Sequence, residues 1–444
     1  MTYYKHHEED GAGSGLASET ESMRRVYFIA CAFPPFSRGN SITNACVAGN
    51  LSKTLDVVVI CMQREDGFFL NYQEDKSLVA NLPDDLRVKR IRASNWLLAN
   101  ELFYGIGLLP CYFINWAWAV LRKRNRLIDL PGVIFAVYPV FSDLIVGWVL
   151  AKRYNCPLIV DFRDDFAGVM SVGRRRFLGA VYRWLEFRLI DGAQAVTVTT
   201  EYLKDSLISR HGVDESKIVV VHNVVPQSAE SHQNASKSGS AIRIAYAGAI
   251  SRIQTPELLL KAYNLLVEQR SDLANEFEID IYGPESWYFR KRLRRHIRGR
   301  ARYLGFVDRG ELLERLRSVD IGFVSLSDNT FAYAIPTKLI EYIQLGIPVL
   351  GALPKGAARD LIEKNQIGFV CDPGDEAGMV ACLKCASLKP SVLVGMRKNV
   401  ESVRKEFCVD FQVDSWRKLI EDVDDRKNKM RSDVRGPESL DTDV

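Results

Sequence analysis

The sequence has little charge of one sign to spare: 59 Lys and Arg stand against 55 Asp and Glu, a formal net charge of +4 over 444 residues. That balance excludes a uniformly basic chain built for nucleic acid, while saying nothing about local patches. Collagen-like and low-complexity stretches are missing, and 47% of the residues are hydrophobic, so the chain folds around sizeable cores. A disulfide framework is missing too, because the nine cysteines are odd in number and scattered. Residues 1–22 are polar and acidic with no apolar core segment. No signal peptide is therefore expected, and the thiols are expected to be reduced in the cytoplasm. The loop after the first strand carries no G-x-G-x-x-G fingerprint. The adjacent Asp164 and Asp165 lack D-x-D spacing, and the D-x-D at Asp422 and Asp424 falls in a charged tail.

Two series of strands and helices remain, with a polar segment between them. The first contains Arg25–Phe33 (RVYFIACAF), a helical pattern over Ser41–Leu55, then Asp56–Met62, Gly132–Tyr138, Pro157–Val160, Ala195–Thr199 and Lys217–Val221. The second contains Ile242–Ala247, Phe277–Tyr282, Ala301–Phe306, Asp320–Ser325, Pro348–Gly351 and Gly368–Cys371. Continuous Val/Ile-rich runs bounded by turn residues, with helices between, are what a parallel sheet covered on both faces requires. The expected fold is α/β, with two Rossmann-like doubly wound domains facing across a cleft. The expected divisions are a disordered tail over 1–22, a first domain over 23–225 and a linker over 226–240. A second domain over 241–408 follows, then a helix over 409–425 that returns to the first domain, and a disordered tail over 426–444.

Ligands of such sheets sit beyond the carboxyl ends of the strands, and three segments there carry candidate chemistry. In SLSDNTFAYAIPTKLIEYIQLGIPVL (325–350), Pro336 and Thr337 start a helix that Gly346 ends. Lys338 and Glu341 share a face of its first turns. A helix N-terminus with a lysine suits a diphosphate, and a carboxylate one turn in suits a ribose; an exposed Lys–Glu pair at helical spacing is the plainer reading. In DFRDDF (161–166), Asp161 and Asp164 could orient or deprotonate a hydroxyl and Arg163 could meet a phosphate. A structural Asp–Arg pair closing the turn fits the same residues. In the first strand-to-helix loop, Gly39 permits close backbone approach.

The order Gly248, Gly283, Gly305 and then PTKLIEYIQLGIPV resembles the C-terminal domain of family 4 (group 1) glycosyltransferases of the two-Rossmann GT-B fold. Looser likeness extends through FPPFSRGNS, DFRDDF and VHNVVP. The resemblance implies an N-terminal acceptor domain, a C-terminal nucleotide-sugar domain, and transfer of a sugar from a nucleoside diphosphate to an acceptor hydroxyl, with retention. It implies that Glu341 contacts the donor ribose and that basic residues hold the diphosphate. It implies donor-side roles for Gly39, Asn223, Gly248, Gly283 and Lys338, and no metal or other cofactor. The sequence departs from the family at four positions. Tyr333 stands where a first glutamate precedes Glu341 by eight, Ala249 and Gln254 replace an Arg and a Lys, and Asp161 replaces a histidine. Arg252, in the same loop, is the expected substitute for the diphosphate role. A nucleotide-sugar 2-epimerase or hydrolase of the same fold, or a non-catalytic nucleotide- or RNA-binding protein, are the alternatives.

Leu102–Leu121 is a run without charge, followed by Arg122, Lys123, Arg124 and Arg126. It could be a buried helix, a span, or a helix lying in a membrane surface, and the basic run favours the surface. Segment 102–126 therefore suggests a saccharide or lipid-linked acceptor at the inner face of the cell membrane, as in polysaccharide or glycolipid synthesis. Arg290–Arg302 holds eight basic residues. Without interleaved aromatics, a solvated face is expected there rather than a nucleic-acid site.

Overall fold

The computed structural model describes residues 23–36, 39–63, 74–80, 82–93, 111, 113–172, 177–226, 241–287, 289–388 and 390–435. The expected tail 1–22, the linker beyond Pro226 and most of 102–112 lie outside these residues.

In the first domain, β1 (Arg25–Ile29), β2 (Asp56–Gln63), β3 (Arg87–Arg92), β4 (Val133–Tyr138), β5 (Leu158–Phe162), β6 (Ala195–Val198) and β7 (Ile218–Val220) form one sheet. Their order is β3-β2-β1-β4-β5-β6-β7, and every pairing is parallel. The second sheet holds β8 (Ile242–Ala247), β9 (Phe277–Tyr282), β10 (Ala301–Gly305), β11 (Ile321–Ser325), β12 (Val349–Ala352) and β13 (Gly368–Cys371) in the order β10-β9-β8-β11-β12-β13. This is the doubly wound α/β architecture expected, twice over. The sequence reading lacks β3. Its RVKRIR is half-exposed on the sheet edge, and a charged edge strand carries none of the apolar continuity that marks the buried strands.

Alternation of side chains across each strand builds two cores per sheet. Tyr27 and Ile29 pack on one face with Trp116, Leu144 and Tyr182. Those three belong to helices α2 (Ile114–Lys123), α3 (Phe141–Tyr154) and α4 (Gly179–Gly192), counting α1 as Gly39–Leu51. Val26 and Phe28 pack on the opposite face with Val47 and Leu51 of α1. The same cluster holds Trp416 and Ile420, both essentially buried, so the last helix lies on the first domain. Full burial of such side chains stabilises by about 2 kcal/mol each, which fastens that helix well. It spans Val409–Arg435 and so passes the expected end at 425, through a stretch expected to be disordered. Repeated i,i+4 pairs such as Arg426 with Asp422 support the extension.

Two helices of the second domain matter for the site: α5 (Arg309–Leu316) and α6 (Thr337–Gln344), with the final helix then α7. Trp116 on α2 is fully buried while Trp118 is exposed. The described part of 102–126 is therefore an amphipathic helix of the first domain. Among the described residues, no single helix is long and apolar enough to cross a membrane. Within 290–302 the chain forms short helical turns and enters β10; Arg300, just before the strand, pairs with Glu278, and Arg302 within it pairs with Asp280.

Candidate active site

The carboxyl ends of both sheets meet across the cleft, and the N-termini of α1 and α6 approach each other there. A Cβ added at Gly39 would lie 3.3 Å from Thr337 Oγ1, so the absent side chain lets the two helix ends come together. Pro336 precedes α6 and Gly346, with φ of 72°, follows it, as the Pro and Gly punctuation predicts. The free N–H groups and positive dipole ends of two helix N-termini make this junction suited to an anion.

On α6, Lys338 and Glu341 are both buried, which sets aside the exposed-pair reading. Lys338 Nζ turns away from solvent and donates to Gln254 Oε1 (2.6 Å) and Tyr246 Oη (3.0 Å). Burial lowers its pKa to about 7. Gly248 makes room for this side chain, since a Cβ there would sit 2.6 Å from Lys338 Cε, and its φ is +120°. Gly283 serves behind it. A Cβ at Gly283 would strike the Gly248 carbonyl oxygen at 2.2 Å, so the missing side chain leaves room for the Gly248 loop.

Glu341 faces Arg309, the first residue of α5. Arg309 Nη1 lies 2.5 Å from Glu341 Oε1, yet off the direction of a hydrogen bond, so Oε1 and Arg309 Nη2 are buried without one. The Arg309 backbone N–H donates to Asp75 Oδ2 of the first domain (3.1 Å). Sequence reasoning missed Arg309 because it belongs to no motif. Only the approach of α5 to α6 sets it beside Glu341.

On the opposite wall, Asp161 ends β5 with no exposed surface. Arg163 Nε donates to Asp161 Oδ2 (2.7 Å), and Thr197 Oγ1 donates to Oδ1 (2.7 Å). Both oxygens thus accept a hydrogen bond within the first domain, and the carboxylate expected to act on the acceptor holds Arg163 in place. Arg163 Nη1 donates to Asn44 Oδ1 on α1 (2.8 Å), and its Nη2 is buried without a partner. Asp164 is the carboxylate that stays partly open. Close packing pushes its pKa up to about 6, against a hydrogen bond from Tyr333 and the charge of Arg163. Tyr333 Oη donates to Asp164 Oδ1 at 3.1 Å across the cleft. The position where the family's first glutamate is missing therefore supplies a phenol to a carboxylate of the other domain.

Two expected residues stand apart. Arg252 is exposed on the loop after β8, and Asn223 is half-buried beyond β7; no described contact ties either to the groups above. Next to Asn223, the His222 ring bonds the Thr199 carbonyl (Nδ1 to O, 2.8 Å) and its backbone N–H donates to Gln412, fixing α7 to the first domain. Among the described residues, no three His, Cys, Asp or Glu converge as a metal site would require.

The sequence matches the family described as Glycosyltransferase Family 4 over residues 51–228 and the one described as Glycosyl transferases group 1 over residues 227–400. No curated protein matches it. Among solved structures, the fold is similar to Anabaena HepE in complex with UDP-glucose, with a TM-score of 0.63 and 14% identity over 90% of this chain and 100% of that one. It is also similar to the lipopolysaccharide outer core galactosyltransferase WaaB (TM-score 0.54, 14% identity, 88% and 98% coverage). A trehalose-6-phosphate protein from E. coli bound with UDP-2-fluoro glucose gives a TM-score of 0.66 at 12% identity, with 90% and 98% coverage. At such identities the likeness shows the two-domain fold alone.

Proposed function

The chain belongs to the family 4, group 1 glycosyltransferases of the GT-B type and depends on a nucleotide sugar, and on that premise we propose a retaining transfer to a saccharide or lipid-linked hydroxyl. The observation that carries this reading is the junction of α1 and α6, with Gly39 against Thr337 and the orphaned polar atoms of Arg163, Arg309 and Glu341 buried around it. Ligand groups of matching charge and polarity would satisfy all of them. The diphosphate of the donor lies at the paired helix N-termini, where Lys338 and Arg163 offset the charge that develops as the sugar leaves. Glu341 accepts hydrogen bonds from the ribose hydroxyls once Arg309 yields. Asp164 orients the acceptor hydroxyl, whose proton passes to the departing phosphate. No cofactor besides the donor enters this scheme. The work is placed in the cytoplasm, at the inner face of the cell membrane, in polysaccharide or glycolipid synthesis.

A thermal-shift panel of UDP- and GDP-sugars tests the donor site. Stabilisation by one of them, abolished in Glu341→Ala and Lys338→Ala, supports the reading, and no response from any sugar sinks it. Product analysis with and without acceptors then separates transfer from epimerisation or hydrolysis.

A further inference from the structure

We propose that the outward face of α4, joined by Trp118 of α2, is a docking surface for an anionic lipid bilayer. Helix α4 buries Tyr182, Glu186, Leu189 and Ile190 toward the sheet. Its other side shows Trp184 at 59% exposure, Val181 at 47% and Phe187 at 38%, and Phe177, just before the helix, is 63% exposed. At 3.6 residues per turn, Phe177, Val181, Trp184 and Arg188 fall on one stripe. Single exposed apolar residues are ordinary; a whole helix face of them is not.

The charges on this layer give the occupant. Helices α2, α3 and α4 share one core cluster on the same face of the sheet, so their outer sides form a common surface. Arg122, Lys123, Lys152, Arg183 and Arg188 are exposed on it, and among the described residues none of them pairs with a carboxylate. The acids of these three helices are withdrawn: Asp143 and Glu186 are buried, and Asp191, at the far end of α4, is the exception. Aromatic side chains suit the headgroup boundary, and each cation near anionic lipid adds about 1 kcal/mol. A protein partner would need a complementary acidic and apolar groove, whereas a bilayer supplies both properties at once. Because α4 follows β5 and runs back against it, its N-terminal end lies at the sheet edge that carries Asp161 and Asp164. Docking there holds the cleft mouth at headgroup level, within reach of a lipid-linked acceptor. This deepens the membrane-surface reading above and rests on it, but its test involves no sugar.

The full chain is mixed with phosphatidylcholine vesicles, with and without phosphatidylglycerol, and followed by flotation. The wild type is expected to float with the anionic vesicles only. Phe177→Ser with Trp184→Ser, and separately Arg183→Glu with Arg188→Glu, are expected to weaken partitioning by at least about tenfold. Trp287→Ser serves as control, since Trp287 is equally exposed (63%) on the other domain with Lys291 over its ring; it is expected to float as the wild type does. Wild-type protein that does not float, variants that float unchanged, or equal loss in the control each overturn the proposal. So does a dimer, seen by size exclusion, that the Phe177/Trp184 pair abolishes while flotation persists. A failed donor panel would leave the flotation result standing, so the two readings fail separately.

Discussion

Two buried acid–arginine pairs face each other across the cleft, and they are built differently. In Asp161–Arg163 both carboxylate oxygens accept a hydrogen bond, one from Arg163 and one from Thr197. In Glu341–Arg309 the charges lie close, yet Glu341 Oε1 and Arg309 Nη2 lack hydrogen bonds. A carboxylate with both oxygens bonded in a dry site is a structural fixture, whereas one with an unbonded oxygen can exchange partners with a ligand at low cost. The comparison assigns positioning to Asp161, which holds Arg163 with its Nη2 free for a ligand, and donor recognition to Glu341.

The largest effect should come from breaking the Asp161–Arg163 pair. Asp161→Ala leaves a buried guanidinium without its counter-charge and should cost about 3–5 kcal/mol of stability, read as a fall in the urea midpoint. Glu341→Gln, which keeps an acceptor beside Arg309, should lower the midpoint less and weaken donor binding by about 1.5–3 kcal/mol, roughly ten- to a hundredfold, measured by calorimetry. If the stability losses came out in the opposite order, the contrast between the pairs would be gone.

Lys338 sharpens the comparison through pH. Its folded pKa of about 7 lies below the ordinary 10.5, so the folded chain sheds this proton first. Below pH 7 the buried ammonium imposes its full penalty; between 7 and 10.5 that penalty is relieved and stability rises, by at most about 1.4 kcal/mol per pH unit. Lys338→Met should lack the rise in denaturation curves taken across that window. Donor affinity should fall over the same range, since the neutral amine no longer meets the diphosphate.

The smallest effect concerns Tyr333. Its hydroxyl favours the ionised form of Asp164, whose pKa stands at about 6 against the ordinary 3.8. A raised carboxyl pKa means that stability falls as pH climbs from about 4 to 6 and is flat above. Tyr333→Phe should cost about 1 kcal/mol or less and move the acid limb of the pH–rate profile upward, because the ionised Asp164 loses a donor. Tyr333→Glu, restoring the family's glutamate, should push Asp164 higher still through like charge; an acid limb unmoved by either variant would dissociate Asp164 from the reaction.

Much of this was legible in the residues. Buried parallel strands are written as continuous apolar runs, so the sequence reading already has all six strands of the second sheet and six of the seven in the first; the charged edge strand β3 alone lacked that signal. The helix carrying Lys338 and Glu341 was marked by Pro336 and Gly346, whose backbone preferences are local. Roles were harder. Asp161 and Asp164 are both acidic and three residues apart, and nothing in that spacing says which one is sealed by Thr197 and which meets Tyr333. Gly283 falls in a family motif, but only packing shows that its missing side chain clears the Gly248 carbonyl. Arg309 was invisible because its partner is 32 positions away and belongs to another helix.

The amino-acid sequence by itself determined the two sheets, their helices and the family, because periodicity, turn chemistry and a contiguous motif are properties of neighbours along the chain. Tertiary structure alone decided which acid is open, where Lys338 points, that Arg309 attends Glu341, and that α4 turns aromatic residues outward beside unpaired cations. Those depend on desolvation and on distances between segments far apart in sequence, which only packing sets.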